Sequence, residues 1–356
     1  MTLYAAVLLA GTAFCLAKAA LPLLSILARR AGLMDHPGGR KDHAEAVPLM
    51  GGAVLLVAVS IPALAAALFA GEAELRGLLP AEAGLHADGL RLRMPMLGMV
   101  LTGALSMLVL GAIDDARPLS PWLRLIVQAF AAWLPVQAGL SAQLFGEPLA
   151  DSALTVLFIV TVTNAFNFID NMNGLACGVA FVATLHLVTL ASAGGELFVA
   201  GLLILLAGAL AAVLLANFPR ARVFLGDAGS TSLGFLLATL AVAHTFALRA
   251  AGEPVPLLAL AGPLLVLAVP LSDFAVVFCT RLARGVHPFT AGHDHLSHRL
   301  VRRGMTRRGA VIWLWGLAIL AGLPLHAGLP LPLLAAVWIP GLALLLLLAV
   351  RTITRP

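Results

Sequence analysis

The sequence predicts an all-α polytopic membrane protein: one integral membrane domain over residues 1–356, with ten or eleven spans, the N-terminus outside and the C-terminus cytoplasmic. Three observations lead there. Sixty-one percent of the residues are hydrophobic and 11% are charged, against about 25% charged in an average soluble domain. A single aqueous core could not hide that much apolar surface. Apolar runs recur along the chain, each long enough to cross a hydrocarbon layer of about 30 Å. Lys and Arg are confined almost wholly to alternate loops, the bias that sets membrane orientation.

The runs fall at 3–27, 49–70, 95–113, 121–140, 152–168, 174–192, 197–216, 229–250, 256–280, 309–327 and 330–350. No basic segment precedes the first, and Lys18 lies inside it, so a retained helix is expected rather than a cleaved signal. The gaps at 193–196 and 328–329 are short enough to make ten the other count. With the N-terminus outside, seventeen of the 22 Lys and Arg residues fall in inner loops or the tail; Arg76, Arg91, Arg93 and Arg249 fall outside. The formal charge of +5 therefore reads as loop anchoring rather than as a nucleic-acid surface. Cys15, Cys177 and Cys279 all sit within apolar runs and read as small buried hydrophobes, with no disulfide framework. Large apolar faces leave room for a homodimer.

The seventeen acidic residues divide sharply. Glu72, Glu74, Glu82, Asp88, Glu147, Asp151, Glu196 and Glu253 fall in outer loops, where solvation explains them. Asp114, Asp115, Asp170 and Asp227 lie instead at the inner edges of apolar runs. Charges there are costly unless paired or wet, which marks them as functional candidates. Five polar clusters reach this face: Arg40–His43, Asp114–Asp115, Asn164–Asn173, Asp227–Ser230 and His287–His298.

In Leu110-Gly-Ala-Ile-Asp-Asp-Ala-Arg-Pro-Leu-Ser-Pro, Ser120 and Pro121 form an N-cap and first helical position. Asp114 and Asp115 therefore end the preceding helix, at the negative end of its dipole. A divalent ion or a proton-transfer role would explain them; screening by Arg117 or Arg124 is the plainer alternative. In Asn164-Ala-Phe-Asn-Phe-Ile-Asp-Asn-Met-Asn, helical spacing sets Asn164, Asn167, Asp170 and Asn171 on one face. Their oxygens suit Mg2+ or a substrate, and Asn173 closes the same cluster. Interhelical hydrogen bonding is the competing role. In Val223-Phe-Leu-Gly-Asp-Ala-Gly-Ser, Asp227 stands at a helix start between glycines that let backbone N–H groups approach a phosphate. No ordinary P-loop or dinucleotide fingerprint occurs. His287-Pro-Phe-Thr-Ala-Gly-His-Asp-His-Leu-Ser-His-Arg299 reads as a cationic, hydrogen-bonding surface for a diphosphate rather than as a zinc site. Asp273 reads as a buried structural acid paired with Arg281, with a catalytic role as the alternative.

These motifs, with Arg40-Lys-Asp-His and Val47-Pro-Leu-Met-Gly-Gly52 before them, occur in order over residues 35–299. They resemble the polyprenyl-phosphate N-acetylhexosamine-1-phosphate transferases, glycosyltransferase family 4, in the branch that acts on undecaprenyl phosphate and an N-acetylglucosamine donor. The resemblance implies a ten- or eleven-helix fold and a bacterial inner-membrane enzyme with a cytoplasmic site. It further implies Mg2+, with Mn2+ as a substitute, a UDP-N-acetylhexosamine donor and an undecaprenyl phosphate acceptor. On the same ground Asp227 would be the principal metal ligand with Asn167 close by. Asp114 and Asp115 would take the proton from, or orient, the attacking lipid phosphate, and Asp170 would lie in the nucleotide and metal pocket. Lys41 would contact phosphates, and His295 and His298 would bind the nucleotide-sugar. Two positions depart from the family pattern: Asn173 stands where many relatives carry an acid, and Ser297 replaces the middle histidine of His-x-His-His. The absence of three consecutive histidines favours a donor of N-acetylglucosamine or a related amino sugar over the phospho-MurNAc-pentapeptide branch. A secondary transporter is the alternative from another class; its charged sites would sit near the bilayer midplane.

Overall fold

The computed structural model of the chain describes residues 2–37, 45–75, 89–142, 144–250, 261–290 and 292–326. Lys41 and the apolar run at 330–350 lie outside them. The first helix, α1 (Leu3–Ala31), is capped by Thr2, whose hydroxyl accepts the Ala5 N–H. It stops at Gly32, held at φ 73°, with Arg29 and Arg30 in its last turn, where the helix dipole favours cations. The next helices are α2 (Gly51–Leu75), α3 (Met94–Ala116), α4 (Pro121–Gln137), α5 (Pro148–Ile169), α6 (Leu175–Ala193), α7 (Leu197–Asn217) and α8 (Gly226–Ala250). After them come α9 (Ala261–Val266), α10 (Ala268–Ala283), α11 (Leu296–Arg302) and α12 (Arg307–Gly322), which runs into a 3-10 turn at Leu323–His326.

Among the described residues, eight helices are long and apolar enough to cross a bilayer: α1, α2, α3, α5, α6, α7, α8 and α12 with its 3-10 turn. The chain is an all-α polytopic membrane protein. The run expected at 121–140 forms a helix of 17 residues, α4, started by Ser120 and Pro121 as the sequence predicts. The single span expected at 256–280 is instead broken at Leu267 into α9 and α10. Pro270 supplies the reason: with no N–H, it is tolerated in the first turn of a new helix but not inside an old one. A second correction concerns the cysteines. Cys177 is buried, but Cys15 and Cys279 are exposed on the protein surface; in a bilayer an apolar thiol needs no protein cover.

The centre of the bundle is α7 and α8. The former is apolar on every side, the pattern of a helix surrounded by others, and it packs against α1, α2 and α6. Helix α8 is buried against α3, α5 and α2 in spite of its hydroxyls. Thr231, Ser232 and Thr239 each donate to a carbonyl three or four residues back, so none is left unsatisfied. Glycines set how closely the helices approach. A Cβ on Gly52 would lie 2.3 Å from the Gly229 Cα, and one on Gly111 would lie 2.3 Å from the Ala228 nitrogen. The start of α8 is thus held against α2 and α3 by backbone contact.

One small feature was not expected. Met34–Asp35 (β1) and Val47–Pro48 (β2) pair antiparallel, and Leu49 bridges to Phe224. Phe224 donates its N–H to the Pro48 carbonyl at 3.0 Å, and Gly51 donates to the Phe224 carbonyl at 2.9 Å. This strap holds β1 and β2 beside the segment that leads into α8.

Candidate active site

The helix ends that carry the acids meet. Asp115, at the end of α3, accepts the Asp227 N–H at 2.9 Å on Oδ1 and the Ala228 N–H at 3.1 Å on Oδ2. A carboxylate at the unfavourable end of one helix dipole is therefore at the favourable start of another. It satisfies two N–H groups that α8 cannot bond internally. Asp114 accepts the Leu119 N–H at 2.6 Å and pairs with Arg124 at 2.7 Å. Arg124 also lies 3.9 Å from the Asp227 Oδ2, so this guanidinium sits between two carboxylates. Screening by Arg124, one of the two readings open for Asp114, is present in the structure.

Asp227 projects from the first turn of α8, its side chain 38% exposed. Asn167 of α5 donates its amide to Asp227 Oδ1 at 2.8 Å and to Ser230 at 3.1 Å, which orients the carboxylate. Asn164 does not join this group. It is buried and bonds Gln128 of α4 at 2.6 Å and the Val160 carbonyl at 2.8 Å, an interhelical tie. Asp170 follows α5. Burial pushes its carboxyl up to about 8, and the charges of Asp227 and Asp115 push the same way.

Beyond α5 the chain turns through residues 170–174. Gly174, at φ 76°, donates its N–H to Asn217 at 2.5 Å, and Asn217 in turn donates to the Val223 carbonyl at 2.7 Å. Asn217, at the end of a wholly apolar helix, thereby joins the turn that carries Asp170 to the segment that leads into Asp227. A lone Asn closing such a run was the signal for it in the sequence. Asn173 donates to the Pro219 carbonyl at 3.4 Å. Ser297 donates to the Asn171 Oδ1 at 2.6 Å and ties the histidine loop to this turn.

That loop is built on two buried acid contacts. Asp273 of α10 accepts from His295 Nδ1 at 2.8 Å and from the Leu296 N–H at 2.6 Å. The expected partner, Arg281, instead grips Asp294 with two bonds at 2.9 Å and 2.6 Å. The reason is geometric: Asp273 faces the N-terminus of α11, whose first N–H groups need an acceptor. Burial opposes the charge on Asp294, but Arg281 outweighs it and holds that carboxyl below its ordinary value. Arg299 is buried and donates to the Asp294 carbonyl at 2.7 Å, so it braces the loop from behind. His298 reaches the cleft. Burial first, then His293, His295 and Arg302, hold its imidazole down to about 4, so it is neutral at physiological pH.

These parts enclose an open cleft of about 850 Å³. Asp115, Asp170, Asn173, His298, Arg307 and Arg308 line it, together with Asp35 of the strap and His36 after it. Among the described residues, no three His, Cys, Asp or Glu side chains converge as a closed metal cage. Mg2+ does not require one, since it takes one or two carboxylates and keeps the rest of its shell for water and phosphate. A half-exposed Asp227, oriented by Asn167 and crowded by Asp115 and Asp170, fits that need.

The glycosyl transferase family 4 model matches residues 97–245, which hold Asp114, Asp115, Asn167, Asp170 and Asp227. The decaprenyl-phosphate N-acetylglucosaminephosphotransferase of Mycolicibacterium smegmatis is 30% identical over 82% of this chain and 74% of its own. The "Probable undecaprenyl-phosphate N-acetylglucosaminyl 1-phosphate transferase" of Bacillus subtilis is 27% identical over 82% of this chain and 76% of its own. The undecaprenyl-phosphate alpha-N-acetylglucosaminyl 1-phosphate transferase of Salmonella typhi is 28% identical over 85% and 78%. Fold and cleft are thus those of a multi-pass membrane enzyme, a sugar-phosphate transferase, and the transporter alternative is set aside. The chain belongs to glycosyl transferase family 4.

Proposed function

We propose that this chain transfers N-acetylglucosamine 1-phosphate from UDP-N-acetylglucosamine to a polyprenyl phosphate, undecaprenyl phosphate in the first instance, and releases UMP. The observation that carries this reading is the meeting of Asp115, Asp170 and Asp227, from three helix ends, beside a cleft with an arginine-bearing wall. The names of the relatives favour N-acetylglucosamine over a MurNAc-pentapeptide donor. The arginine-rich loops support a cleft on the cytoplasmic face of the inner membrane, by the positive-inside bias.

In the proposed reaction an oxygen of the lipid phosphate attacks the β-phosphorus of the donor. The new P–O bond forms as the bond from the β-phosphorus to the bridging oxygen breaks, and UMP leaves with that oxygen. Such transfers depend on positioning and charge neutralisation. Mg2+, or Mn2+ in its place, would be held by Asp227 and Asp170 and would neutralise the diphosphate. Asn167 sets the direction of the Asp227 carboxylate, and Asp115 sets the backbone that carries it. Asp114 and Arg124 hold one another beside Asp227, which keeps a cation near the acids. His298, neutral, offers a hydrogen-bonding nitrogen without adding charge.

The test is purified protein in detergent with radiolabelled UDP-N-acetylglucosamine and undecaprenyl phosphate, with and without EDTA. Labelled lipid and EDTA-sensitive UMP release are expected, and Asp227→Ala should abolish both while the protein stays folded. Full activity of that variant would sink the metal assignment, and turnover only with another UDP-amino sugar would sink the donor.

A further inference from the structure

Arg307 and Arg308 lie in the first turn of α12, behind the N-cap Thr306, and both line the cleft. That position is electrostatically adverse. The start of a helix carries partial positive charge and favours acids, and two adjacent guanidinium groups add their own repulsion. Arg308 is exposed and, among the described residues, has no carboxylate partner. Anchoring of the helix against lipid head groups would account for basic residues here, as it does at Arg29 and Arg30. It would not require them to face the cleft. Arg302 and Arg303, a few residues earlier, supply flank charge without lining it. Asp115 and Asp170 line the same cleft. A substrate phosphate drawn to the acids through a cation would still have oxygens to offer to other groups lining the cleft. His298, which also lines the cleft, is neutral, so the side-chain positive charge there comes from arginine, whose planar fork suits phosphate oxygens.

We propose that Arg308, with Arg307 beside it, is a phosphate-binding residue of this cleft and takes up the substrate phosphate oxygens that the acids and their cation leave free. The proposal rests on the transferase reading above. Two sources supply the same chemistry, the diphosphate of the nucleotide-sugar and the monophosphate of the polyprenyl acceptor.

The experiment is steady-state kinetics of the wild type, Arg308→Gln, Arg308→Lys and the double Arg307→Gln/Arg308→Gln variant, each substrate varied in turn. Size-exclusion profile and melting temperature serve as folding checks. The expected result is a rise in KM of about tenfold or more for one substrate in Arg308→Gln, the size of one lost charged hydrogen bond, with kcat changed far less. A smaller rise is expected in Arg308→Lys and a larger one in the double variant. A rise for UDP-N-acetylglucosamine alone assigns the site to the diphosphate; a rise for undecaprenyl phosphate alone assigns it to the lipid phosphate. Both KM values within about twofold of wild type in all variants, or a loss confined to kcat, would overturn the proposal. No product from the wild type is a separate result: it would overturn the transferase reading and the proposal with it.

Discussion

Asp115 is the residue whose role the geometry redefines most, and its replacement separates two explanations of the paired aspartates. In Asp115→Ala the N–H groups of Asp227 and Ala228 lose their acceptor, now met at 2.9 Å and 3.1 Å. Hydrogen bonds to a charged group contribute about 1.5–3 kcal/mol each, while loss of an N-cap costs about 0.5–2 kcal/mol. Water in the cleft can take over part of the bonding, and removing one carboxylate relieves repulsion with its neighbours. The net cost expected is therefore about 2–3 kcal/mol. Asp115→Asn keeps one acceptor oxygen but turns an N–H pair toward the other donor, and should lose about half as much. Thermal unfolding in detergent, with turnover measured on the same samples, reads both. A positioning role predicts a lower Tm in both variants, alanine below asparagine, together with reduced turnover because Asp227 rides on the same turn. Wild-type melting in both variants with turnover abolished would refute this reasoning and return Asp115 to direct proton chemistry.

Other perturbations probe the neighbouring parts. Gly111→Ala forces a methyl into the Ala228 backbone, so it should cost about 1–3 kcal/mol in thermal unfolding and lower kcat; unchanged melting would show that α3 and α8 need not touch. Asp170 binds its proton up to about pH 8 in the folded metal-free protein, whereas an unfolded aspartate releases it near pH 4. Its contribution to stability therefore falls as pH rises between those values, and a bound divalent ion must displace the proton. The gain in Tm on adding Mg2+ should be larger at pH 9 than at pH 6.5; equal gains would remove Asp170 from the metal site. Ser297→Ala breaks the tie to Asn171 at 2.6 Å and should raise the donor KM severalfold with kcat nearly kept, whereas an unchanged KM would make Ser297 incidental. Asp273→Asn weakens the acceptor for His295 and for the start of α11, with an expected cost of about 1–3 kcal/mol, checked by the Tm.

Hydropathy made most of the architecture legible, because bilayer thickness acts on stretches long enough to survive local exceptions. The broken span around Leu267 was not legible from hydropathy, which cannot see that Pro270 belongs only in a first turn. At the site, the residue types pointed correctly to one end of the bundle, but their division of labour depends on which helix end faces which. Asp115 looks misplaced until the start of α8 is set beside it. Asn164 and Asn167 share a helical face by spacing, yet one meets Gln128 and the other Asp227. Periodicity assigns a face and not a neighbour. Asp273 was read correctly as buried and structural but with the wrong partner, since Arg281 and His295 are both close in sequence order and only packing selects between them. Arg307 and Arg308 looked like topological flank charge because nothing in the sequence says which side of α12 opens on the cleft.

The central claim is that the carboxylate-lined cleft moves an intact sugar phosphate, and donor labelled with ³²P in its β-phosphate tests it most directly. With undecaprenyl phosphate and Mg2+, the label should pass into the lipid as a diphosphate-linked sugar while unlabelled UMP is released, and EDTA or Asp227→Ala should stop both. Label that stays with the nucleotide as UDP, while the sugar alone reaches the lipid, would contradict it.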